Sequence, residues 1–280
     1  MKLFPTLFVM VVILQFSSTS AAQRRVFGEP ALRKFDIKVD DLDREYLLHI
    51  PEEKETPRPV VFGFHGHGGT ARNAARSFKL HVHWPDAIVV YMQGIPTPGK
   101  LTDPEGKRNG WQHGAGSEED RDLKFFDKVL AQIEEKFSVD KSRIYSTGHS
   151  NGGAFTYLLW AERGDIFAAM APSAAAAGQV RNSLTPKPVM HLAGEKDNLV
   201  KYSWQQATMN GLRKLNECEP TGKEWSPYGT LYTSKIKTPV VTYIHPGAHK
   251  YPSEAPPLII KFFKEHRLPQ KPETPAAPDQ

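Results

Sequence analysis

A serine, an aspartate and a histidine in this sequence have the types and the order of a hydrolytic triad. Ser150 lies in the turn at 148–152, which reads GHSNG, and Asp197 and His249 follow it along the chain. Each of the two intervals leaves room for a strand–helix unit of about 30 residues. A histidine can take the proton of a serine that attacks a carbonyl carbon, and a carboxylate can hold that imidazole in the required tautomer. The pattern predicts hydrolysis through an acyl-enzyme.

The Gly-x-Ser-x-Gly turn lies between a predicted strand and a predicted helix. Residues 143–147 include the β-branched and aromatic residues Ile144, Tyr145 and Thr147, and residues 154–160 form a largely apolar segment. A serine on so sharp a turn has a strained backbone and an exposed hydroxyl, and the helix behind it directs free N–H groups to the same place. The turn alone equally fits a serine that caps a helix. The presence of Asp197 and His249 favours the catalytic interpretation.

The surrounding pattern predicts a mostly parallel central sheet flanked by helices. Alternating residues at 33–39 and 44–50 indicate an antiparallel hairpin at a sheet edge. Further strands are predicted at 60–64, 87–91, 143–147, 166–171, 188–192 and 240–244, and helices at 117–137, 154–160, 202–215 and 258–265. Ser150, Asp197 and His249 each follow the carboxyl end of a strand, where the sites of such sheets lie.

A glycine-rich loop with the sequence HGHGG follows the strand at 60–64. Its backbone N–H groups can converge on a small anion. The pair His65 and His67, with His81 and His83 further on, also suggests a metal site. However, no carboxylate or third histidine falls at the spacing that a zinc hydrolase needs, so we expect neither a metal nor an organic cofactor.

Composition and charge narrow the class of protein. The 280 residues are 39% hydrophobic and 24% charged, which is typical of a globular protein, and we predict one catalytic domain at 23–267. The net charge of +5 is spread without a Lys/Arg-rich stripe, so no nucleic-acid partner is expected. Cys218 is the only cysteine, which rules out an intrachain disulfide.

The two ends of the sequence differ from the rest. Residues 1–22 contain Lys2, an apolar run at 7–14 and then small residues, which is the pattern of a secretory signal peptide. The apolar run is shorter than the roughly 20 residues of a spanning helix, although an uncleaved membrane anchor is the rival interpretation. We therefore expect a secreted protein with no stable membrane insertion after cleavage. The Pro-rich segment 268–280 predicts a disordered tail.

Taken together, these motifs resemble the α/β-hydrolase superfamily, and within it the secreted polyhydroxybutyrate depolymerase and feruloyl esterase-like group. The resemblance covers roughly residues 33–266 and rests on HGHGG at 65–69, GHSNGG at 148–153, Asp197 and His249. It implies the α/β-hydrolase fold and a serine esterase. The implied substrates are feruloyl or other aromatic acid esters of plant polysaccharide, with polyhydroxyalkanoate depolymerase as the alternative.

Backbone N–H groups of His67 and Asn151 are expected to form the oxyanion hole of such an esterase. A peptidase is a weaker option among the hydrolases. From another class, a catalytically silent binding protein can share the same fold, because fold alone does not determine activity.

The segment between the strands at 166–171 and 188–192 is too short for the helical cap that lidded relatives insert there. We therefore expect no cap domain and an open cleft, edged by the loop at 94–110, that accepts esters linked to polymers. His149, Trp111 and Trp204 are candidates for substrate contact. For Trp111, the sequence equally fits a tryptophan that anchors the loop to the core.

Overall fold

The computed structural model describes residues 31–52 and 56–269. These residues contain a ten-stranded sheet with helices on both faces. The predicted signal peptide at 1–22 and most of the predicted tail, from 270 on, lie outside the described residues.

The elements follow the chain as alternating strands and helices. The strands are β1 (Arg33–Val39), β2 (Leu42–His49), β3 (Arg58–Phe64), β4 (Ile88–Met92), β5 (Ile95–Pro96), β6 (Asn109–Gly110), β7 (Val139–His149), β8 (Ala169–Ser173), β9 (Val189–Gly194), β10 (Lys223–Ser226), β11 (Gly229–Tyr232) and β12 (Val240–His245). The helices are α1 (Ala71–Phe78), α2 (Leu80–His83), α3 (Arg121–Lys136), α4 (Asn151–Arg163), α5 (Tyr202–Leu215) and α6 (Ala255–Lys264).

The main sheet has the order β1-β2-β4-β3-β7-β8-β9-β12-β11-β10. The six strands from β4 to β12 pair in parallel, and antiparallel strands extend the sheet at each end. The short strands β5 and β6 form a separate two-stranded sheet. This arrangement confirms the predicted parallel sheet and the predicted hairpin at its edge.

The centre of the sheet is buried on both faces. Every residue of β3 and β4 is buried, which explains their continuous apolar sequences. Alternate side chains enter different cores: Phe62 packs on the face that carries α3 and α4, whereas Val61 packs on the face that carries α1 and α6. Because both faces are packed, the carboxyl ends of the parallel strands are held in fixed positions relative to one another.

The helix that the sequence predicts from Ser117 begins only at Arg121. Glu118, Glu119 and Asp120 instead have φ values of 51°, 55° and 56°, which places them in a left-handed turn. The carboxylate of Asp120 explains this difference, because its Oδ1 accepts hydrogen bonds from the Gly116 N–H and the Gln112 amide, each at 2.8 Å.

One predicted strand is displaced, and one hairpin has no counterpart in the prediction. The strand predicted at 166–171 is displaced, since the chain leaves α4 through a 3₁₀ turn at Gly164–Ile166 before β8 begins. The sequence also does not predict the hairpin of β10 and β11. Most side chains of these two strands are exposed or half-buried, so they show no apolar run.

The connection between β8 and β9 stays short. Residues 174–188 contain only the 3₁₀ helix Gly178–Ser183, and no cap is inserted in this segment. This segment therefore contributes no cap over the carboxyl ends of β7, β8 and β9.

The loop before α3 is fixed to β2 by a buried ion pair. Arg44 of β2 donates to Oδ1 of Asp122 at 2.8 Å, and both side chains are fully buried. The other carboxylate oxygen of Asp122 accepts the backbone N–H of Gln112 at 2.8 Å. The Arg44 guanidinium also lies 4.1 Å from the ring centroid of Phe125. These contacts tie the loop before α3 to β2.

Candidate active site

Ser150 stands at the sharp turn between β7 and α4. Its backbone has φ 57° and ψ −120°, a region that non-glycine residues rarely occupy. The turn is possible because Gly152 has no Cβ: an added Cβ would overlap the carbonyl oxygens of Phe64 and His65 at the end of β3. The start of α4 therefore packs directly against the neighbouring strand, and Ser150 is held above the sheet.

Asp197 follows β9 and is 2% exposed. Its Oδ1 accepts the backbone N–H groups of Leu199 and Val200, each at 3.0 Å. Its Oδ2 accepts the side-chain amide of Gln205 at 2.9 Å and lies 2.7 Å from Nδ1 of His249. Four donors therefore fix the plane of this carboxylate.

His249 lies in the loop after β12 and connects the other two residues. Its Nδ1 is 2.7 Å from Oδ2 of Asp197, and its Nε2 is 2.8 Å from Oγ of Ser150. When Nδ1 carries the proton that Asp197 accepts, Nε2 is free to accept the hydroxyl proton of Ser150. The three residues that the sequence predicts as a triad are thus joined in one chain of hydrogen bonds.

The glycine-rich loop lies beside the serine. A Cβ built on Gly66 would be 3.5 Å from the Cβ of Ser150, so the loop backbone lies close to the nucleophile. The Gly68 N–H is occupied by the carbonyl of Asn109 at 2.7 Å. The backbone N–H groups of His67 and Asn151, in contrast, make no hydrogen bond within the described residues. Both remain available to a ligand.

Side chains hold these two N–H groups in place. The imidazole of His67 lies 3.1 Å from Oδ2 of Asp103, and Asp103 also accepts the N–H of Arg108 at 2.8 Å. The Asn151 amide accepts the N–H of Trp111 at 2.7 Å and donates to its carbonyl at 3.1 Å. The loop at 94–110 and the start of α4 are therefore connected through residues of the candidate oxyanion hole.

Trp111 does not line the site, and its interpretation as a substrate contact is wrong. The side chain is fully buried, its indole N–H donates to the carbonyl of His65 at 2.8 Å, and it packs on Phe64 and Phe155. A fully buried indole whose ring packs on other aromatic side chains presents no face to a ligand. It anchors the loop to the core, which is the other role that the sequence allows.

His149 and Trp204 do line a cleft at Ser150, with a volume of about 490 Å³. Trp204 is 45% exposed, and the apolar side chains of Leu199 and Leu101 lie in the same cleft. Burial, with smaller contributions from the neighbouring His249 and His245, lowers the pKa of His149 to about 3. His149 is therefore neutral at ordinary pH.

The charged side chains that line the cleft are both cations. Lys100 and Arg108 come from the loop at 94–110, and Arg108 is oriented by a 2.7 Å hydrogen bond to the carbonyl of Thr102. One wall of the cleft is thus positive, whereas the wall formed by Leu199 and Trp204 is apolar.

His67 contacts Asp103 through Nε2, and both ring nitrogens of His65 are hydrogen-bonded to protein groups. The Gly94 N–H donates to Nε2 of His65 at 2.9 Å, so Nδ1 carries the proton and donates to the Gly66 carbonyl at 2.8 Å. Burial lowers the pKa of His65 to about 4. Among residues 31–52 and 56–269, no three His, Cys, Asp or Glu side chains are grouped so that they can hold a metal ion.

Gln205 and Asp103 support the site but were not predicted from the sequence. Gln205 lies on the predicted helix at 202–215, where a glutamine between Trp204 and Gln206 carries no sign that it is buried. Asp103 lies in a polar loop without periodicity. No local pattern distinguishes these residues from solvated ones.

Comparisons with known proteins show which families and enzymes the chain is similar to. Residues 108–211 match the prolyl oligopeptidase family (Peptidase_S9), a segment that includes Ser150 and Asp197. The probable feruloyl esterase C of Aspergillus clavatus is 25% identical over 236 residues, which are 79% of this chain and 83% of that protein. Feruloyl esterase C of Emericella nidulans is 26% identical over 64% of each chain.

Solved structures show the same fold at lower identity. Acetyl xylan esterase from Aspergillus awamori superposes with a TM-score of 0.62 and 12% identity, over 83% of this chain and 99% of that one. A ferulic acid esterase superposes with a TM-score of 0.58 and 15% identity, over 85% of this chain and 98% of that one.

The fold and these similarities define the chain as a serine hydrolase of the α/β-hydrolase superfamily. Within that superfamily it is a carboxylic ester hydrolase, and its sequence is similar to those of feruloyl esterases. Its substrates are therefore esters.

We expect Gly152→Ala to disrupt the turn that holds Ser150. The new Cβ would meet backbone carbonyl oxygens that cannot move aside, so the free energy of unfolding should fall by about 3 kcal/mol. Gly211→Ala is the matched control, because the only group near its added Cβ is the flexible Arg181 side chain at 3.8 Å. That change should stabilise α5 by up to about 1 kcal/mol. Urea unfolding followed by circular dichroism measures both, and equal midpoints for the two variants would contradict the packing described here.

Proposed function

We propose that this chain is a secreted serine esterase that releases feruloyl or related aromatic acids from esters of plant polysaccharide. Ser150 is the nucleophile, His249 the general base and Asp197 the residue that orients His249. The observation that carries the proposal is the pair of hydrogen bonds that joins Ser150 to His249 and His249 to Asp197 in an open cleft.

The proposed reaction has two half-reactions. His249 takes the hydroxyl proton through Nε2 while Oγ of Ser150 bonds to the ester carbonyl carbon. The resulting oxyanion accepts hydrogen bonds from the backbone N–H groups of His67 and Asn151, which offset its negative charge. His249 then returns the proton to the alcohol oxygen as the C–O bond breaks.

Water completes the cycle. It attacks the acyl-serine carbonyl as His249 takes its proton, and the acid leaves when Ser150 recovers a proton from His249. Asp197 remains ionised and holds the protonated imidazole between these steps. The fully hydrogen-bonded carboxylate of Asp197 suits this role, because His249 needs a fixed partner on Nδ1.

The preference for aromatic acid esters on polymers is supported by the shape of the cleft. The segment 174–188 inserts no cap, so a polysaccharide chain can lie across the opening. Trp204 and Leu199 offer exposed apolar surface near Ser150 for a phenolic ring. The relatives named above are feruloyl esterases, and the similar structures are an acetyl xylan esterase and a ferulic acid esterase.

Replacing the nucleophile should abolish turnover without unfolding the protein. Ser150→Ala removes the attacking oxygen, and Asp197→Asn should lower kcat by about 10⁴-fold, as the wrong imidazole tautomer does in serine proteases. Ser117→Ala is the matched control, because Ser117 lies on the loop before α3 and touches neither His249 nor Asp197. Steady-state hydrolysis of methyl ferulate and labelling by a fluorophosphonate probe measure the effect. Wild-type turnover by Ser150→Ala would overturn the proposed mechanism.

Substrate choice should depend on the apolar wall of the cleft. We expect ferulate release from feruloylated arabinoxylan as well as from methyl ferulate, and Trp204→Ala should raise KM for methyl ferulate about fivefold while leaving an alkyl acetate unchanged. Liquid chromatography of the released acid gives the rates. Hydrolysis of polyhydroxybutyrate in place of the feruloyl esters would favour a depolymerase. Cleavage of peptide amides alone would favour a peptidase.

Export is part of the proposal and rests on the apolar run and small residues of segment 1–22. None of the helices among the described residues is long and apolar enough to cross a membrane. Protein recovered from the culture medium of a secreting host should begin at Gln23, which N-terminal sequencing determines. A product that stays in the cell and still begins at Met1 would contradict export.

A further inference from the structure

A single side-chain amide occupies the inner side of the Asp197 carboxylate. Gln205, on the second turn of α5, is fully buried. Its Nε2 donates to Oδ2 of Asp197 at 2.9 Å and to the carbonyl of Val200 at 2.7 Å. Oδ2 is also the oxygen that lies 2.7 Å from Nδ1 of His249. The amide of Gln205 and the imidazole of His249 therefore share one acceptor atom.

The other end of the Gln205 amide faces a second buried polar group. Oε1 of Gln205 and Nε2 of His191, on β9, are both buried without a hydrogen bond to any described residue. Burial lowers the pKa of His191 to about 4, and the side chain of Gln205 opposes that shift as an acceptor near the imidazole does. His191 is therefore neutral, and one of its nitrogens carries a proton.

The hydroxyl of Tyr157 determines which nitrogen of His191 is protonated. It lies 2.6 Å from Nδ1 of His191, and burial raises the pKa of Tyr157 well above its ordinary value. The phenol thus keeps its proton, and among the described residues Nδ1 of His191 is the acceptor within hydrogen-bond distance of that O–H. With the phenol donating to Nδ1, the imidazole proton lies on Nε2, on the side of the Gln205 amide. Only one orientation of the amide then fits: Oε1 toward His191 and Nε2 toward Asp197.

We infer that Gln205 is a positioning residue for Asp197, oriented from behind by His191 and Tyr157. The inference rests on the proposed role of Asp197 in the reaction. Backbone N–H groups hold only Oδ1, so the Gln205 amide is what keeps Oδ2 in line with His249. Without it, the carboxylate can turn about its two contacts on Oδ1, and the imidazole loses its fixed partner.

Gln205→Met removes the amide but keeps the length of the side chain. We expect kcat on methyl ferulate to fall on the order of 10- to 100-fold, the range typical when a residue that orients a ligand of an active-site metal is removed. KM should stay unchanged because Gln205 does not line the cleft. Gln206→Met is the matched control: the same residue type stands one position along α5 with its side chain exposed. It should retain wild-type kcat and KM.

Gln205→Glu tests the inference through the pH dependence of kcat, which would not change if Gln205 had only a structural role. While the new carboxyl keeps its proton, its O–H can donate to Oδ2 of Asp197 in place of the amide. As pH rises and that proton is lost, two carboxylates face each other and the donor disappears. The kcat of this variant should therefore fall toward alkaline pH, with an added descending limb that is absent from the wild type and from Gln206→Glu.

The outcomes separate this inference from the proposed function. If Ser150→Ala is inactive while both Gln205 variants keep wild-type kcat and pH profile, the triad stands and the role of Gln205 is refuted. A loss expressed only in KM would also refute it. Thermal unfolding identifies a variant that does not fold. If Gln205→Met fails in this way, the pH profile of the near-isosteric Gln205→Glu decides alone, and a profile parallel to that of the wild type overturns the inference.

Discussion

The close approach of α4 to the end of β3 is the contact on which the site depends. A helix that follows a strand directly can begin this near the next strand only if its first turn has no side chain at the crossing, and Gly152 meets that requirement. Gly148 and Gly153 are equally crowded by backbone on either side. The strained conformation of Ser150 is held by this packing, and the hydroxyl, the free N–H of Asn151 and the loop after β3 are brought together as a result.

The register of two neighbouring strands brings the acid and the base together. In β9 and β12, Gly194 pairs with His245, so both chains leave the sheet at the same level. Two backbone hydrogen bonds then join the loops that follow, from Glu195 N–H to the carbonyl of His245 at 2.9 Å and from Lys196 N–H to that of Gly247 at 3.0 Å. Asp197 and His249 are distant in sequence, yet the pairing of β9 with β12 and these two hydrogen bonds between the loops bring them close together.

The parts of this structure that the sequence predicts are those with a regular or short-range signal. Buried parallel strands appear as continuous apolar runs, and a chemical residue directly after such a run lies at the carboxyl edge of the sheet. That reasoning placed Ser150, Asp197 and His249 correctly relative to the strands. It needed no knowledge of side-chain contacts.

The remaining features depend on partners that are distant in sequence. Trp111 is buried because its indole N–H meets the carbonyl of His65, and nothing near residue 111 in the sequence indicates that partner. The left-handed turn before α3 forms because Asp120 bonds back to the loop, although the acidic residues there resemble an ordinary helix start. Gln205 shows the same limit, since its burial follows from the position of α5 on the sheet.

The buried pair of Arg44 and Asp122 has a consequence for exchanging the wall of the cleft between related enzymes. Asp122 binds both Arg44 of β2 and the backbone N–H of Gln112, so the loop that leads into α3 is anchored by a charged residue of the sheet that lies outside the cleft. A loop transplanted without Asp122 leaves a guanidinium in the core with no counter-charge, which is strongly unfavourable. A change of this loop is therefore coupled to β2. Recombination between relatives must transfer β2 together with the loop, or replace Arg44 as well.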